Sequence, residues 1–118
     1  HSFPTRRSSD LEQEDRFARL IKVDVASHSV HMQGIDEQLK EVLQDVLPKN
    51  SNVEFYSSVY KTKIDGNNLN AEYWKQNLRQ TVHFKDAITQ ILQQHQCVCI
   101  EMSPHQTLLH AIQQNIDT

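Results

Sequence analysis

Glycine is scarce in this chain: 118 residues hold only Gly34 and Gly66, where an average usage of about 7% would give roughly eight. Phosphate-cradling loops, dinucleotide fingerprints and nucleophile elbows each need two or three glycines close together. Gly34 and Gly66 stand 32 positions apart, so the chain itself carries no P-loop, no dinucleotide-binding turn and no G-x-S-x-G elbow. Apolar residues are also few, at 37%, which allows a lean core for one small domain or a piece of a larger one. No run of about 18 apolar residues is present to cross a bilayer. A net charge of −3 offers no basic field for counterion release, so neither membrane nor nucleic acid is an expected partner. The two cysteines, Cys97 and Cys99, fall one residue apart on what reads as a strand, where a bridge between them is strained. The expected compartment is the reducing cytoplasm.

The first eleven residues, His1 to Leu11, show neither helical nor strand periodicity and no apolar signal-peptide core. Their string resembles, residue for residue, the in-frame translation of a widely used sequencing adapter; the bland alternative is a disordered basic N-terminus. Residues 1–11 are therefore set aside as non-native, which leaves ten basic against fourteen acidic residues in a more acidic remainder.

From Glu12 onward, strand and helix patterns alternate. Ile21, Val23 and Val25 alternate with Lys22 and Asp24 as a strand that stops near Ala26-Ser27-His28-Ser29. Met32, Ile35, Leu39, Val42, Leu43 and Val46 form an amphipathic helical stripe closed by Pro48. Val53 to Tyr60 is rich in strand formers, and Asp65-Gly66-Asn67-Asn68 supplies turn residues after Tyr60 to Ile64, so a strand and short hairpin are expected. Asn70 can cap a short helix through Tyr73, Trp74 and Leu78. Phe84, Ala87, Ile88, Ile91 and Leu92 form a second helical stripe, and Cys97 to Met102 has the length of a buried strand. Ser103-Pro104 reads as the start of a closing helix with Leu108, Leu109, Ile112 and Ile116 on one face. This order predicts an α/β fold with parallel pairings.

Among the histidines after the N-terminal segment, His28 is the best placed for chemistry. It falls at the C-terminal end of an expected strand, the edge where α/β sheets collect ligands. Its neighbour Ser27 is excluded as its nucleophile, because adjacent strand residues point to opposite faces. His95, Cys97 and Cys99 offer metal-ligand chemistry, but the spacing departs from the C-x2-4-C pattern of structural zinc sites, and no metal is expected. Tyr73, Trp74 and Arg79 are read as packing residues rather than a base-stacking platform, and Lys61 with Lys63 as a solvated strand face.

Four stretches in order carry a family resemblance: Val23-Asp24-Val25-Ala26-Ser27-His28-Ser29, Phe55-Tyr56-Ser57-Ser58-Val59, Ala71-Glu72-Tyr73-Trp74-Lys75-Gln76-Asn77-Leu78-Arg79, and Glu101-Met102-Ser103-Pro104-His105. Together they resemble the acyltransferase domain of modular polyketide synthases and fatty acid synthases, the malonyl-CoA:acyl carrier protein transacylase family. The resemblance runs from about Glu12 to the end and corresponds to roughly the last third of such a domain. It implies a partial α/β-hydrolase-like fold, with residues 12–25 ending a ferredoxin-like small subdomain and residues 26–118 belonging to the large one.

By the same resemblance, a serine elbow attacks the acyl-CoA thioester, and the acyl-serine passes its group to the phosphopantetheine thiol of an acyl carrier protein. His28 matches the family's general base and acid, and the backbone carbonyl of Gln80 falls where the family orients that imidazole. Thr81 stands where a proline is usual. Val25, Ala26 and Ser27 match the motif linked to extender choice, and Ser27 in place of a phenylalanine leaves room for the α-methyl group of methylmalonyl-CoA over malonyl-CoA. The implied partners are the acyl carrier protein and the neighbouring ketosynthase domain, with no resident cofactor. The elbow serine, the oxyanion donors and the carboxylate-binding arginine would all lie upstream of Glu12, so the chain alone is expected to be inactive. A self-contained α/β interaction module that has lost the chemistry is the alternative.

Overall fold

Short-range side-chain hydrogen bonds decide where most of the helices begin. In the computed structural model, which describes residues 13–14 and 25–116, helix α1 spans Ile35–Val42. Gly34 precedes it at φ 93°, a left-handed conformation that glycine adopts without steric cost. The buried Asp36 carboxylate then accepts the N–H groups of Gly34 at 2.8 Å and Glu37 at 3.0 Å. The stripe from Met32 to Val46 predicts one longer helix, and Gly34 is the reason it is divided. Met32 instead closes a 3-10 turn, Val30–Met32, and Leu43 follows the helix as its C-cap. The strand expected over Ile21 and Val23, and residues 1–11, lie outside the described residues.

Strand β1, Phe55–Ser57, pairs antiparallel with β2, Thr62–Ile64, setting Phe55 opposite Ile64 and Ser57 opposite Thr62. The chain reverses between them rather than at Asp65–Asn68, where Gly66–Asn68 forms a second 3-10 turn. Ser57 explains the reversal. Its hydroxyl accepts from the N–H groups of Val59 and Tyr60, each at 3.1 Å, and Lys61 completes the turn at φ 61°. This is the one ladder among the described residues, so the parallel pairing expected from the order of elements is not found in them.

Helix α2, Ala71–Arg79, starts where the sequence pattern predicts, with the Asn70 side chain accepting from the Tyr73 N–H at 3.0 Å. Tyr73 is 2% exposed and meets the rings of Phe55, Tyr60 and Trp74 edge-on, with centroids 6.2, 5.7 and 5.2 Å away. Such pairs contribute about 0.5–1.5 kcal/mol each beyond burial. The Tyr73 hydroxyl lies 3.0 Å from the fully buried Ser57 Oγ. Because Ser57 Oγ already accepts two N–H groups, its own proton is the one donated to Tyr73. Lys40 pairs with Glu72 at 2.7 Å and Lys75 with Glu37, tying α2 to α1 along their exposed edges.

Helix α3, Phe84–Gln94, follows the second predicted stripe. It is joined to the hairpin by the His83 N–H donating to the Ser58 carbonyl at 2.8 Å and the Tyr56 hydroxyl donating to Gln94 Oε1 at 2.9 Å. Beyond it the expected strand from Cys97 to Met102 does not form. Val98 is 88% and Met102 92% exposed, and no neighbouring strand is present among the described residues to satisfy its backbone. A lone strand cannot persist on apolar composition alone.

The closing helix also starts later than Ser103-Pro104 predicts, as α4, Leu109–Ile116. The Ser103 hydroxyl is drawn away from capping by Glu101 Oε1, 2.8 Å distant, and the His105 carbonyl, 2.5 Å distant. Glu101 takes over at the helix entrance, accepting from the Thr107 N–H at 2.9 Å, the Thr107 hydroxyl at 2.7 Å and the Leu108 N–H at 3.1 Å.

Two outcomes follow from these contacts. Ser57→Ala leaves two N–H groups and the Tyr73 hydroxyl without their partner in a buried place, and should cost about 1–3 kcal/mol, read as a lower denaturant midpoint. The Thr107 N–H first, then the Thr107 and Ser103 hydroxyls, hold the Glu101 carboxyl down to about 2 from an ordinary value of 4.5. A depressed folded-state value means that the cap is complete above pH 4.5 and is lost as pH falls towards 2. The protection factors of the Thr107 and Leu108 amides should fall across that window, and Glu101→Gln should remove that pH dependence.

Candidate active site

A helix leaves its last carbonyls without intrahelical partners, and α2 places two carbonyls from its C-terminal end against His28. The Leu78 carbonyl accepts the His28 backbone N–H at 2.8 Å. The Gln80 carbonyl lies 3.1 Å from His28 Nδ1. Residues 52 positions apart are thereby joined through both the backbone and the ring. A carbonyl can only accept, so Nδ1 carries a proton, and in the neutral ring the lone pair then sits on Nε2, the tautomer a general base requires. The same Nδ1–H bond persists when Nε2 takes a proton, so the ring does not have to turn during proton transfer.

The strand expected before His28 falls largely on residues outside the described ones, so its end is not located. Among the described residues Val25 and Ala26 are irregular, and His28 occupies a tight turn at φ 59°. Histidine is among the residues that enter this left-handed region more readily than most, and the carbonyls of α2 hold it there. Side-chain alternation along a strand therefore does not govern where Ser27 points. Val25, Ala26 and Ser27, the three candidate specificity residues, are all exposed immediately before the imidazole.

The Gln80 backbone has φ −82° and ψ 162°, the extended conformation favoured before proline. Thr81 in the usual proline position has therefore not altered the path that presents the carbonyl. Gln80 N–H donates back to the Gln76 carbonyl at 2.7 Å, so the last turn of α2 fixes the residue whose carbonyl holds the ring.

The remaining described histidines whose rings have polar neighbours serve other contacts. His83 Nδ1 lies 3.5 Å from Asp86, and His110 Nε2 lies 3.1 Å from Gln114. His95 Nε2 lies 3.1 Å from Glu54 and 3.0 Å from the Tyr56 hydroxyl, which engages it away from the cysteines. Desolvation and the neighbouring Cys97 push the Cys99 thiol up, away from the thiolate a metal requires. Among the described residues no three His, Cys, Asp or Glu side chains converge to hold a metal ion, and no helix is long and apolar enough to cross a membrane.

The chain belongs to the acyl transferase domain family, whose model matches residues 5–118. It is 37% identical over 110 residues to erythronolide synthase EryA2 of Saccharopolyspora erythraea, covering 93% of this chain and 3% of that protein. It is 41% identical over 101 residues to polyketide synthase GfsB of Streptomyces halstedii, covering 85% of this chain and 2% of that one.

Among solved structures, it superposes on the acyltransferase domain from module 8 of the salinomycin polyketide synthase with a TM-score of 0.91 and 34% identity, covering 96% of this chain and 27% of that one. For the loading acyltransferase of the avermectin modular polyketide synthase the TM-score is 0.88 at 34% identity, over 96% and 36% of the two chains. The α/β fold class holds. The chain thus spans about a third of these solved structures and a few per cent of the curated synthases.

The Thr81 N–H makes no hydrogen bond among the described residues, and Gln80 already has a pre-proline backbone. Thr81→Pro should therefore stabilise by about 0.4–1 kcal/mol through the unfolded chain, seen as a higher unfolding midpoint.

Proposed function

We propose that residues 12–118 form the C-terminal part of an acyltransferase domain that moves a malonyl-type extender unit from CoA to an acyl carrier protein in polyketide or fatty acid biosynthesis. The observation that carries this is the His28 imidazole held through Nδ1 by the Gln80 carbonyl, with Nε2 left as a base. Residues 12–25 end the ferredoxin-like small subdomain, and 26–118 belong to the large one. The nucleophilic serine, its oxyanion donors and the carboxylate-binding arginine come from the part of the domain upstream of Glu12.

In the first half-reaction His28 Nε2 takes the serine hydroxyl proton as that oxygen bonds to the thioester carbonyl carbon. Collapse of the tetrahedral intermediate breaks the carbon–sulfur bond, and the imidazolium returns its proton to the departing CoA thiolate. In the second half the phosphopantetheine thiol gives its proton to Nε2 and attacks the acyl-serine ester. The serine oxygen leaves and is reprotonated by His28. Gln80 keeps the ring in one tautomer throughout, and the chemistry needs no metal or resident cofactor.

Val25, Ala26 and Ser27 directly precede His28 in the chain and are exposed, as residues that meet the α-substituent of the extender would be. A small Ser27 favours methylmalonyl-CoA, although one methyl group is worth only ~1–3 kcal/mol of discrimination. The acyl carrier protein and the neighbouring ketosynthase domain are the partners, and the cytoplasm is the compartment. A self-contained interaction module would need a closed core. Among the described residues the buried apolar side chains are Met32, Tyr73 and Ala87, while Val98, Ile100 and Met102 face outward, which supports a piece that completes a larger domain.

The test joins residues 12–118 to the upstream part of the salinomycin module 8 acyltransferase. Acyl-enzyme formation and transfer to a carrier protein are then measured with malonyl-CoA and methylmalonyl-CoA in competition. The chimera should turn over with methylmalonyl-CoA preferred, the chain alone should not, and His28→Ala should lower turnover by about 10²–10⁴. Parental turnover by His28→Ala would sink the assignment.

A further inference from the structure

We infer that Ser29 is a positioning residue for His28, an inference that rests on the catalytic reading of His28 above. His28 is held at φ 59°, a conformation that an L residue keeps only when its surroundings require it. On one side the Leu78 carbonyl binds its N–H at 2.8 Å. On the other side the Ser29 hydroxyl bonds to both flanks of the histidine. It donates to the Ala26 carbonyl at 2.6 Å, closing the turn that contains Ser27 and His28. It also accepts from the His31 N–H at 3.2 Å, and so caps the 3-10 turn Val30–Met32. That turn ends in Met32, 5% exposed, which anchors the segment in the core, and its backbone closes with the Met32 N–H on the Ser29 carbonyl at 3.2 Å.

The hydroxyl therefore fixes the path of Ala26-Ser27-His28 at its exit, as Leu78 fixes it from the side. Ser29 makes no hydrogen bond to the imidazole; it acts by keeping the His28 Cβ where Nδ1 meets the Gln80 carbonyl. Without the hydroxyl the Ala26 carbonyl and the His31 N–H each lose a partner, and among the described residues only the Leu78 and Gln80 carbonyls are left to hold His28 against relaxation towards negative φ. The ring would then leave Gln80, and Nε2 would leave the place where the serine proton is taken. The deletion concerns one oxygen atom, so the conservative control is the threonine, which retains it.

The experiment compares parent, Ser29→Ala and Ser29→Thr in the chimera described above. For acyl-enzyme formation, alanine should lower kcat about tenfold with KM for the extender thioester within about twofold, and threonine should restore most of kcat, because misplacement of a base is felt in the transition state rather than in substrate binding. In parallel, nitrogen-15 spectra of the chimera without substrate read the His28 tautomer independently of catalysis. The parent and the threonine variant should show the Nδ1–H form, and alanine a mixture of the two neutral forms. An unchanged kcat in Ser29→Ala, a loss that threonine does not restore, or an unchanged tautomer in the alanine variant overturns the role of Ser29. Parental turnover in His28→Ala instead overturns the catalytic reading, while the spectra still decide whether Ser29 positions the ring.

Discussion

The C-terminal carbonyls of α2 are the constraint on which the candidate site depends. An α-helix that ends in extended backbone must find partners for its last oxygens, and here the partners are the N–H and the ring of one histidine. The direction of α2 decides where those oxygens are delivered. That direction is set near the other end of the helix, by Asn70 at the cap and by Tyr73 one turn in, wedged among Phe55, Tyr60 and Trp74 and tied to Ser57. Through the nine residues of α2, a hairpin serine and a tyrosine ring are connected to the placement of an imidazole.

The energetic weight is unevenly spread. The bonds around Ser57 and Tyr73 are buried and leave no unsatisfied side-chain polar atom among the described residues. The ion pairs between α1 and α2 lie at the surface, where solvent screens them, and contribute little. At the opposite end of the chain, Phe84, Ile88, Ile100, Met102, Leu108 and Ile112 line an open apolar groove between α3, α4 and the extended 97–102 segment. Side chains with the composition of a core and the exposure of a surface are what a segment of a larger α/β layer presents before its sheet is complete.

The helices over Ile35–Val42, Ala71–Arg79 and Phe84–Gln94 were legible because their apolar spacing, with a capping asparagine for the second, is a local property. His28 stood out by its place after an expected strand, but its pairing with Gln80 was legible only through a family resemblance in four ordered stretches; spacing alone gave no reason to join residues 52 apart. The Leu78 carbonyl and Ser29 were missed. The one is backbone and carries no residue signature, and the other looks like an ordinary turn serine. Glu101 was read as part of a strand and a motif, and its role at the start of α4 depends on a reversal of the chain that composition does not mark.

Scarcity of glycine, by itself, excludes an elbow from the chain, and the sequence likewise sets its acidic balance, its helical stripes and the cap at Asn70, since each depends on neighbours within a few residues. Tertiary structure alone decided that His28 takes a left-handed conformation, and that Cys97 to Met102 pairs with no strand among the described residues. The physical reason is common to both. A positive φ at a histidine and a strand's ladder are each sustained by hydrogen bonds to distant backbone, supplied to His28 by α2 and absent for Cys97 to Met102 among the described residues.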